Sequence, residues 1–130
     1  GTGSVEGLLL GTAVGAVATG ILVVNNLRDM HTDVRVGKRT LAVRFGAQFT
    51  RWEYALLLSL AHLCIGAVAV SEPRLTRLFV IFVISIPWSV HCIRAIWTKE
   101  GTELNAYLGR TAQLELIMGL GISGVCVWSN

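Results

Sequence analysis

The sequence has little charge. Only 15% of its 130 residues are Asp, Glu, Lys or Arg, whereas 53% are hydrophobic and the mean hydropathy is +0.63. Soluble globular domains carry about 25% charged residues, so this composition excludes an ordinary soluble domain. Proline is scarce too, with two residues in the whole chain, and long apolar segments run on without interruption. The composition therefore predicts an integral membrane protein.

Cysteine is also rare, and the spacing of the three cysteines matches no metal-binding or redox motif. Cys64, Cys92 and Cys126 lie inside apolar segments and form no Cys-x-x-Cys motif. A zinc site or a dithiol redox centre is therefore not predicted, and we interpret the three as small buried hydrophobic residues. The net charge of +3 does not indicate nucleic-acid binding, because the basic residues cluster in loops between the apolar segments.

Four apolar segments predict four transmembrane helices, so the expected fold is an all-α, multi-pass helical bundle. The segments cover residues 5–27, 52–70, 78–93 and 113–128. The first is long enough to cross about 30 Å of hydrocarbon. Its Gly7, Gly11 and Gly15 are four residues apart, a spacing that predicts close packing against a neighbouring helix. Pro87 inside the third segment predicts a kink or a stop.

The distribution of Lys and Arg predicts the orientation of these helices. Residues 28–51 hold six of them and residues 94–110 hold three, whereas the turn at 71–77 holds two. Four antiparallel spans place the first and third of these regions on the same side of the membrane. The positive-inside rule assigns that side to the cytoplasm. We therefore expect a protein of the cytoplasmic membrane with its charged loop, residues 28–51, facing the cytoplasm.

This loop begins with a regular pattern of oxygen-bearing side chains. Asn25, Asp29 and Asp33 are four residues apart. On a helix, residues at this spacing lie on one face, about 6 Å apart along the axis. Two carboxylates and a carboxamide suit Mg²⁺, a hard ion that fills its remaining positions with water and phosphate oxygens. The pattern therefore indicates a Mg²⁺ site.

Basic side chains crowd the same region and favour an anionic ligand. They are Arg28, Arg35, Lys38 and Arg39. Arginine can grip a phosphate with two hydrogen bonds, so acids for a metal and bases for an anion together indicate a diphosphate site. From spacing alone, a second interpretation is equally open. In it the stretch is a solvated basic loop that contacts anionic lipid, and the two aspartates only offset its charge.

The charged stretch also resembles a known motif. Residues 25–46 read NNLRDMHTDVRVGKRTLAVRFG and are similar to the second aspartate-rich motif of the UbiA superfamily of membrane prenyltransferases. The closest form is NNxRDxxxDxxxGKxTLAVRxG, found in the branch that prenylates 1,4-dihydroxy-2-naphthoate for menaquinone biosynthesis. A weaker similarity lies at residues 104–121, LNAYLGRTAQLELIMGLG, which resembles the last loop and last helix of that family.

The resemblance implies a role for each of these side chains. Asp29 and Asp33, with Asn25, would hold Mg²⁺ on the diphosphate of a polyprenyl donor. Lys38, with Arg28 or Arg39, would contact phosphate oxygens. The implied enzyme is a Mg²⁺-dependent aromatic prenyltransferase. It would join the polyprenyl chain to 1,4-dihydroxy-2-naphthoate with loss of CO₂ and pyrophosphate.

The chain departs from the superfamily in one respect. Members have about nine transmembrane helices and a first aspartate-rich motif of the form NDxxDxxxD, which has no counterpart here. The resemblance therefore implies that residues 1–130 are the carboxy-terminal part of such an enzyme, inactive without its amino-terminal half. Two alternatives stay open: a related prenyltransferase that acts on 4-hydroxybenzoate or homogentisate, and a small non-enzymatic membrane protein with a lipid-binding basic loop.

Overall fold

The computed structural model describes residues 3–129, which fold into five α-helices. They are α1 (Gly3–Arg28), α2 (Met30–Arg35), α3 (Leu41–Ser71), α4 (Leu78–Thr98) and α5 (Asn105–Trp128). Short 3₁₀ helices, Pro73–Leu75 and Gly101–Leu104, connect α3 to α4 and α4 to α5. Helices α1, α3, α4 and α5 are long and apolar enough to cross a membrane. The expected multi-pass, all-α membrane bundle is confirmed.

The helices extend beyond the apolar segments that predicted them. Helix α3 begins at Leu41, eleven residues before the predicted span at 52, because the Thr40 hydroxyl caps it by accepting a hydrogen bond from the Val43 N–H at 3.3 Å. Gly46, with φ of +90°, bends this amphipathic first part of α3 away from the apolar part. Much of the predicted loop 28–51 is therefore helical.

The connection between α4 and α5 is shorter than the polar segment 94–110 suggested. Helix α4 continues to Thr98, and α5 begins at Asn105. Polar side chains at helix ends reach water beyond the hydrocarbon, so apolar composition alone underestimates helix length. Pro87 lies inside α4 and does not end it.

The four long helices pack in a ring, α1 on α3, α3 on α4, α4 on α5 and α5 on α1. On α1 the buried Gly20 packs against α3, and an added methyl carbon there would lie 3.3 Å from Leu58 Cδ1. The close packing predicted at Gly7, Gly11 and Gly15 is not formed by the residues that the structure describes. Nothing within residues 3–129 comes within 4 Å of a methyl group placed there, because that face of α1 is turned away from the ring.

Polar contacts fix the ends of these helices near the charged stretch relative to one another. The Tyr54 hydroxyl donates a buried 2.8 Å hydrogen bond to Thr111 Oγ1, whose own hydrogen goes to the Tyr107 carbonyl. The Arg51 guanidinium donates to the Ile96 carbonyl at 2.9 Å, in the last turn of α4. Helices α3, α4 and α5 are thus held together at the end of the bundle that carries the charged stretch.

The contact between α4 and α5 predicts the effect of a substitution at Gly121. A methyl carbon there would lie 2.7 Å from Ile81 Cδ1 and 3.0 Å from its Cγ1. We expect Gly121→Val to lower the free energy of unfolding by about 1–3 kcal/mol, because the branched side chain overpacks the interface. Denaturation in detergent, followed by helical circular dichroism, measures this.

Gly124→Val is the matched control, since no heavy atom of the described chain lies within 4 Å of a methyl carbon at Gly124. The same gain in side chain should then change the free energy of unfolding by less than about 0.5 kcal/mol. Equal effects of the two substitutions would contradict the packing of α5 on Ile81.

Candidate functional site

The predicted stripe of Asn25, Asp29 and Asp33 crosses a break between two helices. Helix α1 ends at Arg28 and α2 begins at Met30. Even so, the Asp29 N–H donates to the Asn25 carbonyl at 3.1 Å, and the Asp33 N–H to the Asp29 carbonyl at 2.8 Å. These i to i−4 hydrogen bonds continue the helical path through the break. The three side chains therefore lie one turn apart on the same side of the chain.

A tight turn follows α2 and brings Lys38 back towards the stripe. Gly37 has φ of +76°, a conformation that favours glycine. The Lys38 N–H donates to the Asp33 carbonyl at 2.9 Å and the Gly37 N–H to the Val34 carbonyl at 3.3 Å, the pattern of a Schellman motif. The Gly-Lys pair of the sequence motif is thus a helix stop that holds the Lys38 backbone against Asp33.

Arg28 makes the densest set of contacts at the site. Its Nε donates to Asp29 Oδ1 at 2.8 Å and its Nη2 to Asp29 Oδ2 at 2.9 Å, a bidentate ion pair. Nη2 also donates to Asn25 Oδ1 at 2.6 Å. Nη1 donates to Asn105 Oδ1, at the start of the neighbouring helix α5, at 3.0 Å. Arg28, expected from the resemblance to bind diphosphate, here holds two of the three expected metal ligands.

The charges of this cluster act on Asp29. Hydrogen bonds from Arg28 lower the pKa of the Asp29 carboxyl below its ordinary value of 3.8, partial burial opposes them, and the positive charges of Arg28 and Lys38 lower it further. Asp29 is therefore a carboxylate at neutral pH, the form in which a metal ion is bound.

Asp33 differs from Asp29 in having no partner. It is only 8% exposed, yet no side-chain hydrogen bond or ion pair reaches its carboxylate from residues 3–129. Its carboxylate oxygens keep contact with solvent, so an added cation could reach them. With Asn25 and Asp29, Asp33 offers hard oxygen donors of the kind that Mg²⁺ prefers.

These oxygens would form only part of a metal cage. Within residues 3–129 no three side chains drawn from His, Cys, Asp and Glu come together at one point. The two aspartates and one carboxamide of the stripe are what the described chain contributes. The oxygen set fits a divalent ion that takes its remaining ligands from water and substrate.

The remaining basic residues of the stretch form no ion pair within the described residues. Arg35, Lys38 and Arg39 are exposed, and none has a carboxylate within 4 Å in the part of the chain that the structure describes. Long cationic side chains at this end of the bundle remain available to an anionic ligand. Lys38 lies nearest to the stripe, since its charge acts on Asp29.

Asn105 is a site residue that spacing did not predict. It lies 77 positions from Arg28, at the first position of α5, and only the packing of α5 against α1 brings the two together. The one signal in the sequence is its place in the second, weaker family similarity. A groove of about 500 Å³ between α1 and α5, lined by Glu115 and apolar residues, lies apart from the stripe.

Fold and site together define a helical membrane protein with a cluster of carboxylate, carboxamide and basic side chains at the end of one transmembrane helix. The chain belongs to the UbiA prenyltransferase family, whose model matches residues 1–114. No solved structure matched the chain significantly.

Curated relatives are similar over nearly the whole chain. It is 33% identical over 122 residues to the 1,4-dihydroxy-2-naphthoate octaprenyltransferase of Haemophilus influenzae, and 31% identical over 119 residues to the enzyme of that name from Mycobacterium leprae. These matches cover 92% and 91% of this chain but 39% of each relative. UbiA prenyltransferase domain-containing protein 1 of Gallus gallus is 32% identical over 117 residues, which are 90% of this chain and 33% of that protein. The chain thus spans well under half the length of these relatives.

The ion pair of Arg28 and Asp29 predicts a pH dependence of stability. Because the pKa of Asp29 is lowered in the folded state, the pair contributes fully above the ordinary value of 3.8, and its contribution is lost as the pH falls through the lowered value. Without divalent ions, wild type should melt at a higher temperature than Asp29→Asn at neutral pH. The two curves should converge in acid.

Glu103→Gln is the control, because its carboxylate is 63% exposed and lies 3.9 Å from Lys99. An exposed pair of this kind contributes little, so that variant should follow wild type at every pH. A difference between wild type and Asp29→Asn that stays constant down to about pH 3 would contradict the ion pair.

Proposed function

We propose that this chain is the carboxy-terminal part of a membrane enzyme that transfers a polyprenyl group from polyprenyl diphosphate to 1,4-dihydroxy-2-naphthoate, with release of pyrophosphate and CO₂, in menaquinone biosynthesis. The observation that carries the proposal is the stripe of Asn25, Asp29 and Asp33 with Arg28 at its centre. The names of the bacterial relatives support the naphthoate acceptor.

The residues of the site suit the chemistry of an allylic diphosphate. The C–O bond of such a donor breaks when the charge of the departing pyrophosphate is stabilised, and the aromatic acceptor then takes up the carbocation. A bound Mg²⁺ would supply part of that stabilisation. Asn25, Asp29 and Asp33 would hold the ion, and Lys38 with Arg28 or Arg39 would donate hydrogen bonds to phosphate oxygens.

The position of the site suits a donor with a long apolar tail. The stripe lies where α1, an apolar helix of membrane-spanning length, gives way to a charged segment. A diphosphate bound there would stay in the polar region while its isoprenoid tail lies among the apolar helices. The positive-inside rule places the site on the cytoplasmic side of the membrane. The naphthoate acceptor and the diphosphate head of the donor are expected on that side.

A preceding segment would complete the site. The relatives extend well beyond the matched region, and the α1 face that carries Gly7, Gly11 and Gly15 is uncovered within residues 3–129. Small residues on an uncovered transmembrane helix favour close packing of a further helix. That segment would supply the rest of the metal cage and the acceptor pocket.

Asp33 offers the clearest test of this function. In the full-length protein with polyprenyl diphosphate, 1,4-dihydroxy-2-naphthoate and Mg²⁺, we expect Asp33→Asn to lower turnover by on the order of 100-fold. The carboxamide is isosteric but uncharged, and Asp33 forms no ion pair within residues 3–129 that its loss would break. Prenylated product is measured by chromatography.

Glu103→Gln removes an exposed carboxylate at the same end of the bundle and should leave turnover within about twofold of wild type. If Asp33→Asn also retains wild-type turnover, the aspartate stripe has no metal role. If the full-length protein has no activity, and Asp29→Asn and Asp33→Asn leave its binding to anionic vesicles unchanged, the lipid-binding function replaces the enzymatic one.

A further inference from the structure

Arg28 occupies the oxygens that the proposed function assigns to a metal ion, and the following inference rests on that function. Both oxygens of Asp29 and the carboxamide oxygen of Asn25 accept hydrogen bonds from its guanidinium, at 2.6–2.9 Å. Of the stripe, only Asp33 is left without such a bond within residues 3–129. The described site is therefore closed by a cation of its own.

Arg28 and a divalent ion would compete for these oxygens. A guanidinium and a divalent ion both require negative or dipolar oxygen, and at this short range their like charges oppose each other at any plausible dielectric constant. Binding of the ion to Asn25 and Asp29 therefore favours release of Nε and Nη2 of Arg28 from these oxygens. The displaced nitrogens lose up to three hydrogen bonds and need new acceptors.

Asn105 accepts the one hydrogen bond that this exchange leaves intact. Nη1 of Arg28 donates to Asn105 Oδ1 at 3.0 Å, and Asn105 is not one of the expected metal ligands. Because this contact anchors the opposite edge of the guanidinium to α5, the group can pivot about it rather than swing into solvent. Nε and Nη2 would then face phosphate oxygens held by the metal, in the paired geometry that arginine offers to phosphate.

We propose that Arg28 is an exchangeable resident cation of the site. In this proposal a divalent ion displaces it from Asn25 and Asp29, and Asn105 is the positioning residue that keeps the guanidinium directed at the diphosphate. The first residue of α5 thus becomes part of diphosphate recognition. A purely structural clamp between α1 and α5 is the competing account of the same contacts.

The two accounts differ in what loss of Arg28 does to metal binding. If Arg28 competes for the oxygens, Arg28→Met should tighten Mn²⁺ binding without diphosphate by about tenfold, since a charged hydrogen-bond set no longer has to be broken. If Arg28 only clamps the helices, its loss should leave Mn²⁺ affinity unchanged or weaken it. Electron paramagnetic resonance of free Mn²⁺, titrated into the full-length protein in nanodiscs, measures the affinity.

Two further variants keep this test decisive. Arg35→Met removes an exposed positive charge of α2 and should tighten Mn²⁺ binding by less than about threefold, which separates general charge from direct competition. Arg28→Lys retains the charge but cannot form the bidentate pair, so it should bind Mn²⁺ more tightly than wild type even if Arg28→Met does not fold. Wild-type Mn²⁺ affinity in the folded Arg28 variants would overturn the exchange.

The role of Asn105 is tested with pyrophosphate as the probe. In saturating Mn²⁺, Asn105→Ala should weaken pyrophosphate binding by about three- to tenfold while leaving Mn²⁺ affinity as in wild type. Gln113→Ala, which removes an exposed carboxamide two turns further along α5, is the control and should change neither. Unchanged pyrophosphate affinity in Asn105→Ala would overturn the positioning role.

Asp33→Asn in the same titration separates this inference from the proposed function. If the loss of Asp33 leaves Mn²⁺ binding unchanged, the metal site itself is wrong. If Asp33→Asn weakens Mn²⁺ binding but the Arg28 variants do not tighten it, the metal site stands and the exchange fails.

Discussion

The guanidinium of Arg28 joins the end of one transmembrane helix to the beginning of another, and the candidate site depends on that contact. Its hydrogen bonds fix the Asn25 and Asp29 side chains at the end of α1 and reach Asn105 at the start of α5. A cation among carboxylate and amide oxygens satisfies these groups where α1 leaves its apolar segment. The same arrangement presents carboxylate and amide oxygens, the type of donor that Mg²⁺ prefers.

The apolar body of the protein places this cluster at a boundary. Four long helices form a ring, and the contacts of Arg51 and Tyr54 hold α3, α4 and α5 together near the charged end. A ligand with a diphosphate head and an isoprenoid tail would need a polar and an apolar environment side by side. Membership of the UbiA prenyltransferase family agrees with this division of the chain into an apolar body and a polar end.

Local pattern was enough to predict the stripe, because four-residue spacing places side chains on one face wherever the helical hydrogen bonds continue. They do continue through Asp29, although α1 and α2 are separate helices. Composition likewise predicted the four spans, but not their ends, since the Thr40 cap and the Gly46 bend lie outside the apolar segment of α3. Spacing and composition could not predict Asn105, because its role depends on which helices pack together. The glycine spacing of α1 likewise could not show which neighbour covers that face, and residues 3–129 leave it uncovered.

The most direct test of the metal site is anomalous diffraction from crystals of the full-length protein with Mn²⁺ and pyrophosphate. The account predicts a manganese peak within about 2.5 Å of carboxylate oxygens of both Asp29 and Asp33, with the Arg28 guanidinium moved from Asp29 onto phosphate. A peak remote from both aspartates, or one that leaves the ion pair of Arg28 and Asp29 in place, would contradict it.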